Sequence, residues 1–548
     1  MTKRKEYVLT ILIIVMGVSI YASTLTADFT YDDIQTILFN PTVREPFSLH
    51  SLLNRDFWGR SFEHTIGTWR PMTTLLLWMD WHVAGGHPLV FHVTNLFLYG
   101  LLLAVANAFL GRWGGNQWTI AGRLLAVAAF AMLVIHIDVI TNATGRAEIL
   151  AALFTLSALL VAMPKDGSLR LWRILASCLC LLFAMTSKES AFPMAIVIPW
   201  LVGRHLRRRR AFAWKPMIGL TAGCFLVLGS LVIFRMNRLP FAKTHDTIAF
   251  DNPLATMPWF LQKLGAAEVF THYLQHTFTG LDLVPDYSYF AIAVLEQGAW
   301  PRVLLGSLAL MTLLLVAILS RNTRPLVTDA IVGFAGSYAV ASHLIVPASA
   351  MLADRLFFFP SFWLMTLFAL WVHPRSLQNG VARRIKIKKI LAGAYASWIV
   401  VQGCITTVAA ATLWRNDRSL FAQALQSYPH VSRTRVNYAL ALRKQGEHEE
   451  AAWHILLSRA YLIRFPKPIE PNDFPISWDN LPLPTRLESL HSHLGNPSFL
   501  QVSDQAIVFC FVWRLHPQQE IITHWRAIAA TSSSVPSTDD IPSSEPEP

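Results

Sequence analysis

Apolar runs of about 16–22 residues recur along this chain from residue 7 to residue 413, and no other feature constrains its fold as strongly. A helix needs about 20 residues to cross roughly 30 Å of hydrocarbon. Inside lipid every backbone N–H and C=O must be satisfied within the protein, so many such runs imply a helical bundle. Eleven runs have this character, near 7–23, 89–110, 121–137, 147–163, 171–186, 190–203, 216–234, 303–320, 329–346, 356–373 and 391–413. Of the 548 residues 53% are hydrophobic and only 15% charged, against about a quarter charged in soluble proteins. The chain therefore reads as an all-α polytopic membrane protein. The first run, "YVLTILIIVMGVSIYAS", is expected to stay as the first helix. No A-x-A-like cleavage site follows it, and further spans do.

Charge placement gives an expected topology. Basic clusters recur between alternate pairs of runs: "TKRK", "KDGSLRLWR", "RHLRRRR", "SRNTR" and "RRIKIKK". By the positive-inside rule these face the cytoplasm. The same pattern accounts for the formal net charge of +12 without nucleic acid, which is excluded as a partner. Loops at about 25–88 and 236–302, and everything from 414 onward, then lie on the opposite side. Five cysteines, four of them inside apolar runs, form neither a disulfide framework nor a thiolate metal site. Within the loops, "SLHSLLNRDFWGR" (48–60) reads as an amphipathic helix on the membrane, and 252–288 as a partly apolar helix tucked against the spans. Whether 252–288 re-enters the membrane is left open.

The topology gathers ionisable residues, distant in sequence, at one membrane depth: Asp32, Asp33, Arg70, Asp138, Arg146, Glu148, Lys188, Glu189, His272, Asp286, Asp354 and Arg355. Charges at span ends are costly unless they serve a site, so the cluster predicts a polar cavity open to the extracytoplasmic leaflet. Adjacent Asp32 and Asp33 opposite several cations suit one kind of chemistry. A carboxylate takes a proton from a hydroxyl while fixed cations stabilise a departing phosphate. A lipid-linked phosphosugar meets these requirements, with its tail in the bilayer and its headgroup at the interface.

Short motifs then occur in a consistent order: "FTYDDIQTILFNPTV", "TWRPMTTLLLW", "HPLVFHVTNLFLYGLLL", "HIDVITNATGRAEILAALFTLSALL", "TSKESAFP", "LDLVPDYS" and "HLIVPASAMLADRLFFFPS". On these the chain resembles the transmembrane and TPR-repeat-containing O-mannosyltransferases, members of the GT-C superfamily of polyprenyl-phosphate-sugar-dependent glycosyltransferases. The resemblance implies a GT-C-type catalytic domain over 1–413, with about 11 transmembrane helices. It makes Asp32 and Asp33 the catalytic carboxylates, Asp32 being the first choice as base. It also implies substrate-binding roles for Arg70, Arg146, Glu148, Lys188, Glu189, His272, Asp286, Asp354 and Arg355, with Arg146, Lys188 and Arg355 as candidates for the donor phosphate. There are three departures. The family's D-W-S reads Asp286-Tyr287-Ser288, its E-R reads Asp354-Arg355, and its His-Pro before G-R-A-E reads "HID".

Family members carry a long TPR array, whereas one repeat is legible here. It is "VNYALALRKQGEHEEAAWHILLSRAYLIRFP", with Ala439, Gly446, Ala451 and Ala460 at small-residue positions. Residues 414–530 are thus expected to form a small TPR-like helical extracytoplasmic domain, either capping the membrane part or docking a protein acceptor. Residues 531–548, rich in Ser, Pro and acid, read as a disordered tail.

The resemblance implies transfer of a sugar, with mannose as the leading choice, from a polyprenyl or dolichyl phosphate to a protein Ser or Thr with inversion. The alternative is a flippase for lipid-linked sugars or another transporter, which should show internal repeats and broken helices at mid-bilayer. A carboxylate pair is compatible with a divalent Mg or Mn ion or with none, so no cofactor is assigned. The membrane is a bacterial inner membrane with the site facing the periplasm, or an endoplasmic reticulum with the site facing the lumen.

Overall fold

A computed structural model of the chain describes residues 3–238, 251–372 and 382–463, apart from 66, 166, 289, 290, 293, 296 and 297, together with 485. The described residues are helical, and the one strand-like pairing is an isolated bridge between Arg55 and Ser61. Each expected apolar run contains a helix. Together with two helices in the expected loops, the second and the ninth, these are α1 (Lys3–Ser19), α2 (Pro71–Ala84), α3 (Pro88–Gly114), α4 (Ile120–Ala131), α5 (Arg146–Ala162), α6 (Leu171–Ser187), α7 (Met194–Arg208) and α8 (Trp214–Arg238). They continue with α9 (Trp259–Thr279), α10 (Trp300–Ser320), α11 (Pro325–Tyr338), α12 (Phe358–Val372) and α13 (Ala382–Thr412). A shorter helix, α14 (Asp417–Ser427), follows.

Among the described residues six helices are long and apolar enough to cross a membrane, or seven if the bent pair Ile120–Ala131 and Val134–Thr141 counts as one span. The protein is therefore a multi-pass membrane protein. The other expected spans are helices of 14 to 17 residues. The run at 329–346 shows why one falls short. Its helix ends at Tyr338, where side chains take over the backbone's partners: Ser342 Oγ donates to Ala339 O, and Leu344 N donates back to Ser342 Oγ. His343, at φ +54°, then bonds Met351 O and the Ala348 amide.

The core of this unit is built from α5 and α12, which are mostly buried, while α8, α10 and α13 expose long apolar faces as lipid-facing helices do. Aromatic rings fill the space between α3, α4 and α12, with Phe109 and Trp363 5.7 Å apart edge to face and Phe130 and Phe358 at 5.3 Å. α9 and α10 approach so closely at Gly306 that a Cβ there would collide with the Ala267 carbonyl. At the chain's basic ends, buried Asp329 on α11 accepts from Arg204 Nε and Arg208 Nη1 of α7, both at 2.5 Å, and from Trp113 Nε1 of α3 at 3.2 Å. That carboxylate ties three helices together.

The loop after α1 is a packed cap. Phe29, Ile37, Val43 and Phe57 form a cluster with Leu77 of α2, Phe91 of α3 and Ala143. The amphipathic helix expected over 48–60 is only Leu49–Asn54. Asp56 ends it, because its Oδ1 accepts from the Trp58 and Arg60 amides and folds the chain into a turn. Phe57 is then buried in the cluster instead of facing lipid. The same expected loop also contains α2, a 14-residue helix with Pro71 in its first turn.

The chain divides after Ser427, and residues from Tyr428 form a second unit. Its described part is a helical hairpin, α15 (Ser432–Lys444) and α16 (His448–Ile463). Ala439, Leu442 and Ala451 make its small core, and Gly446 at φ +85° makes the turn. Three of the four small-residue positions of the legible repeat thus lie where the helices meet or turn. The side chain of Ala460 and the expected disordered tail lie outside the described residues.

Candidate active site

The acidic doublet is aimed by its backbone. Tyr31 sits at φ +49°, a left-handed conformation costly for a bulky residue and held by its surroundings. Its amide donates to Asp417 Oδ1 at 2.9 Å, and its ring packs edge to face on Phe421, both on α14. The chain then enters the short helical turn Ile34–Leu38, and the two carboxylates part.

Asp33 is fully buried. Its two oxygens accept from the Ala143 and Thr144 amides at 3.0 and 2.8 Å, in the turn just before α5. Burial, helped by the Asp32 charge, lifts its pKa to about 7 against the pull of those amides. Asp32 keeps 23% of its side chain exposed and faces Arg355, whose Nη2 is 3.7 Å away. Arg355 Nη1 reaches Asp138 at 3.3 Å, so this guanidinium bridges two carboxylates by long, loose contacts.

A second chain of charges runs alongside. Arg70, at the start of α2, meets Glu189 with Nε and Nη2 both 3.0 Å from Oε2. Arg235, at the end of α8, reaches the other Glu189 oxygen at 3.3 Å. Burial opposes ionisation of Glu189, but the charges of Arg70 and Arg235 outweigh it and hold its pKa at about 2. Next in sequence, Lys188 pairs with Glu148 at 2.8 Å, and Ser190 Oγ donates to the same carboxylate. Burial lowers the Lys188 pKa while Glu148 opposes the fall, and the charges of Arg70 and Arg355 bear on it as well. The two chains of charge are therefore electrostatically one cluster, at the N-terminal end of α5 and the C-terminal end of α6.

The remaining predicted residues have other duties. Arg146 is fully buried. Its Nη2 lies 2.6 Å from Asp80 Oδ2 on α2 and also donates to Phe91 O, while Nε donates to Asn95 Oδ1 at 3.0 Å. It acts as a strut between α2, α3 and α5 and is not presented to a ligand. Gly145 beside it admits the Val139 carbonyl where any Cβ would clash. Asp286 accepts from the Ser288 amide and hydroxyl and closes its own turn. His272 is buried one turn before His276 on α9, the rings 6.2 Å apart.

Asp354 does not reach outward. It accepts from Tyr287 Oη at 2.6 Å and pairs with His276 Nδ1 at 2.7 Å. Two of the three departures from the family motifs, Tyr287 and Asp354, thus bond each other directly. At the third, His136 packs between Phe130 and Phe358 and bonds Ser361 at 2.8 Å. Among the described residues no group of three or more His, Cys, Asp or Glu side chains is arranged to hold a metal ion.

Sequence reasoning did not single out Arg235, His276, Asp80 or Tyr31. Arg235 carried a signal: a cation at the outward end of an apolar run, against the charge rule that governs the others. Asp80 and Asn95 sit inside apolar stretches, where a lone polar residue marks an internal partner without naming it.

Comparison with known proteins finds relatives that match most of the chain. The chain is 24% identical over 450 residues to "Protein O-mannosyl-transferase F38B6.6" of Caenorhabditis elegans, covering 80% of this chain and 61% of that one. It is 25% identical over 483 residues to mouse "Protein O-mannosyl-transferase TMTC4", covering 79% and 63%. Against mouse "Protein O-mannosyl-transferase TMTC3" it is 24% identical over 485 residues, covering 81% and 50%. Its homologues are TMTC protein O-mannosyl-transferases. No protein-family model matches the chain. The chain spans between half and two thirds of the length of these relatives.

Proposed function

We propose that the protein is a membrane glycosyltransferase that moves mannose from a polyprenyl or dolichyl phosphate to a Ser or Thr hydroxyl of a protein, with inversion at the anomeric carbon. The hydroxyl oxygen attacks that carbon as its proton passes to Asp32. The bond from carbon to phosphate oxygen breaks, and its electron pair leaves with the lipid phosphate. Arg355, Lys188 and Arg70 are the cations near enough to balance the charge that develops there. One observation carries the reading: of two neighbouring carboxylates, Asp33 is consumed by backbone amides, while Asp32 is part-exposed beside a loosely held arginine. Asp32 is therefore the base, and Asp33 is the residue that fixes the loop. The relatives' names support the sugar and the protein acceptor. The cluster faces away from the cytoplasm, in the periplasm or the endoplasmic reticulum lumen, because the basic loops lie at the other helix ends. The second unit's hairpin is where an acceptor protein docks.

The test uses purified full chain in detergent, supplied separately with radiolabelled mannosyl, glucosyl and N-acetylglucosaminyl polyprenyl phosphates and a pool of secreted proteins. Label released from protein by alkaline β-elimination, and only with the mannosyl donor, is expected. Label that stays on lipid but crosses the bilayer of reconstituted vesicles would make the protein a transporter.

A further inference from the structure

At the ends of α5 and α6 away from the charged cluster lies a cavity of about 500 Å³, lined by Arg112, Leu160, Val161, Lys165 and Arg173. At 1.5 Å per residue, the 17 residues of α5 set it roughly 25 Å from the site already described. Three of the five lining side chains are cations, over a floor of Leu160 and Val161. Two of them are anchored to the end of α5. Arg112 Nη1 donates to Met163 O at 2.7 Å and Arg173 Nη1 to Val161 O at 3.0 Å, using carbonyls left over at the C-terminus of α5.

Lys165 is exposed, and neither it nor Arg173 has a carboxylate partner among the described residues. Lys165 and Arg173 differ in this from the cations of the cluster at the other end of the same helices, each of which faces an acid. Arg209 adds a further charge, with Nη1 3.2 Å from Lys165 O. The positive-inside rule explains cations in this loop. It does not require them to converge on a cavity.

What lies beside the cavity narrows the ligand. The first turns of α6 expose Leu171, Trp172, Leu175 and Leu179, and the Arg173 guanidinium lies 4.6 Å from the centroid of the Trp172 ring. Cations at the rim with an apolar helix face and an interfacial Trp below them match a headgroup with its chains attached better than a free anion. We propose that this cavity binds the phosphate of an anionic phospholipid, whose acyl chains lie along the exposed face of α6. The proposal does not depend on the glycosyltransferase reading.

Native mass spectrometry of the delipidated full chain, offered equal phosphatidylglycerol and phosphatidylcholine, tests it. Wild type is expected to retain one phosphatidylglycerol in preference by about thirtyfold or more, as two or three cations at about 1 kcal/mol each near an anionic headgroup would give. Arg173→Gln with Lys165→Gln is expected to abolish the preference. Because Arg173 also caps α5, the single variant Lys165→Glu repeats the test at an exposed side chain and is expected to lower the preference at least fivefold with an unchanged Tm. Leu175→Ser with Leu179→Ser is expected to weaken retention of the lipid without changing the headgroup preference. Equal retention of both lipids, or unchanged preference in Lys165→Glu, overturns the proposal. Displacement of the lipid by millimolar inorganic phosphate overturns it too, since the cavity would then serve a free anion.

Discussion

Arg146 and Arg355 look alike in the sequence: each follows a turn, opens an apolar helix and lies beside acidic residues. In three dimensions they are opposites. Arg146 has no exposed surface, one ion pair at 2.6 Å and further bonds to Asn95 and Phe91. Arg355 keeps 26% of its side chain exposed and touches Asp32 and Asp138 at 3.7 and 3.3 Å. A buried arginine whose Nε and Nη2 are bonded to an acid, an amide oxygen and a backbone carbonyl has committed those donors to the fold, and its remaining Nη1 is sealed from any ligand. A part-exposed one with long contacts still has donors to offer a phosphate. The same contrast separates Asp33 from Asp32. Burial with short bonds marks a strut, and long contacts at an open edge mark a working group.

The sharpest way to break this contrast is to exchange the doublet one residue at a time. Asp32→Asn should cost about 10³-fold in sugar transfer, the range for loss of a general base, with an unchanged Tm. Asp33→Asn should act on the fold. An amide has one acceptor oxygen for the two amides that Asp33 serves, and leaving a buried donor unmet costs about 1–3 kcal/mol. Transfer retained in Asp32→Asn, or lost equally in both variants with folding intact, would remove the assignment.

The arginines give the second test. Arg146→Met leaves Asp80 as a buried unpaired charge and should destabilise by about 3–5 kcal/mol, seen as lost folded yield on size exclusion. Adding Asp80→Asn should recover part of that loss. Arg355→Met should leave the folded yield near wild type and lower transfer by about 10²-fold or more. If the two phenotypes were exchanged, exposure and contact length would be poor guides to function in this bundle.

Much of this architecture is legible in the sequence, for a physical reason. Apolar runs must be helical in lipid, and alternating basic loops fix which ends face together, so residues as far apart as Arg70, Lys188 and Arg355 can be assigned to one end before any coordinate is known. The division of labour within that end is not legible. It depends on Tyr31 adopting a left-handed backbone that turns Asp33 inward, and on Asp80 and Asn95 projecting from otherwise apolar helices toward Arg146. Neither leaves a periodic signal. The short helix at Leu49–Asn54 escaped for a similar reason, since the Asp56 turn that ends it depends on one side chain capturing two amides.

Acid pH probes the same cluster from the side of stability. The folded-state pKa of Glu189, near 2, is below its usual value, so its bridge to Arg70 and Arg235 stabilises above about pH 4.5 and is lost as pH falls toward 2. The full effect is about 3 kcal/mol. Asp33 has the opposite sign. Its raised pKa means that stability is highest below about pH 4 and declines as pH rises through about 7. Thermal melts of the detergent-solubilised protein between pH 3 and 8 should therefore show a maximum near pH 4, where the two effects cross. Glu189→Gln should flatten its acid side only.

The smallest expected effect is the most specific. Tyr287→Phe removes the 2.6 Å bond to Asp354 and should cost about 1 kcal/mol, a few-fold in transfer through the neighbouring Arg355. The family pattern that the chain resembles places Trp and Glu at these two positions, and the contact between Tyr287 and Asp354 implies that they change together. A phenol can donate to a short carboxylate in the same volume where an indole would leave it unmet. Tyr287→Trp alone should therefore impair transfer more than Tyr287→Phe does, and Asp354→Glu alone should crowd His276. The double variant should be more active than the product of the two single effects predicts, with a coupling of about 1 kcal/mol. Simple additivity in that cycle would mean that the two positions depart from the pattern independently and that the bond is incidental to how Arg355 is held.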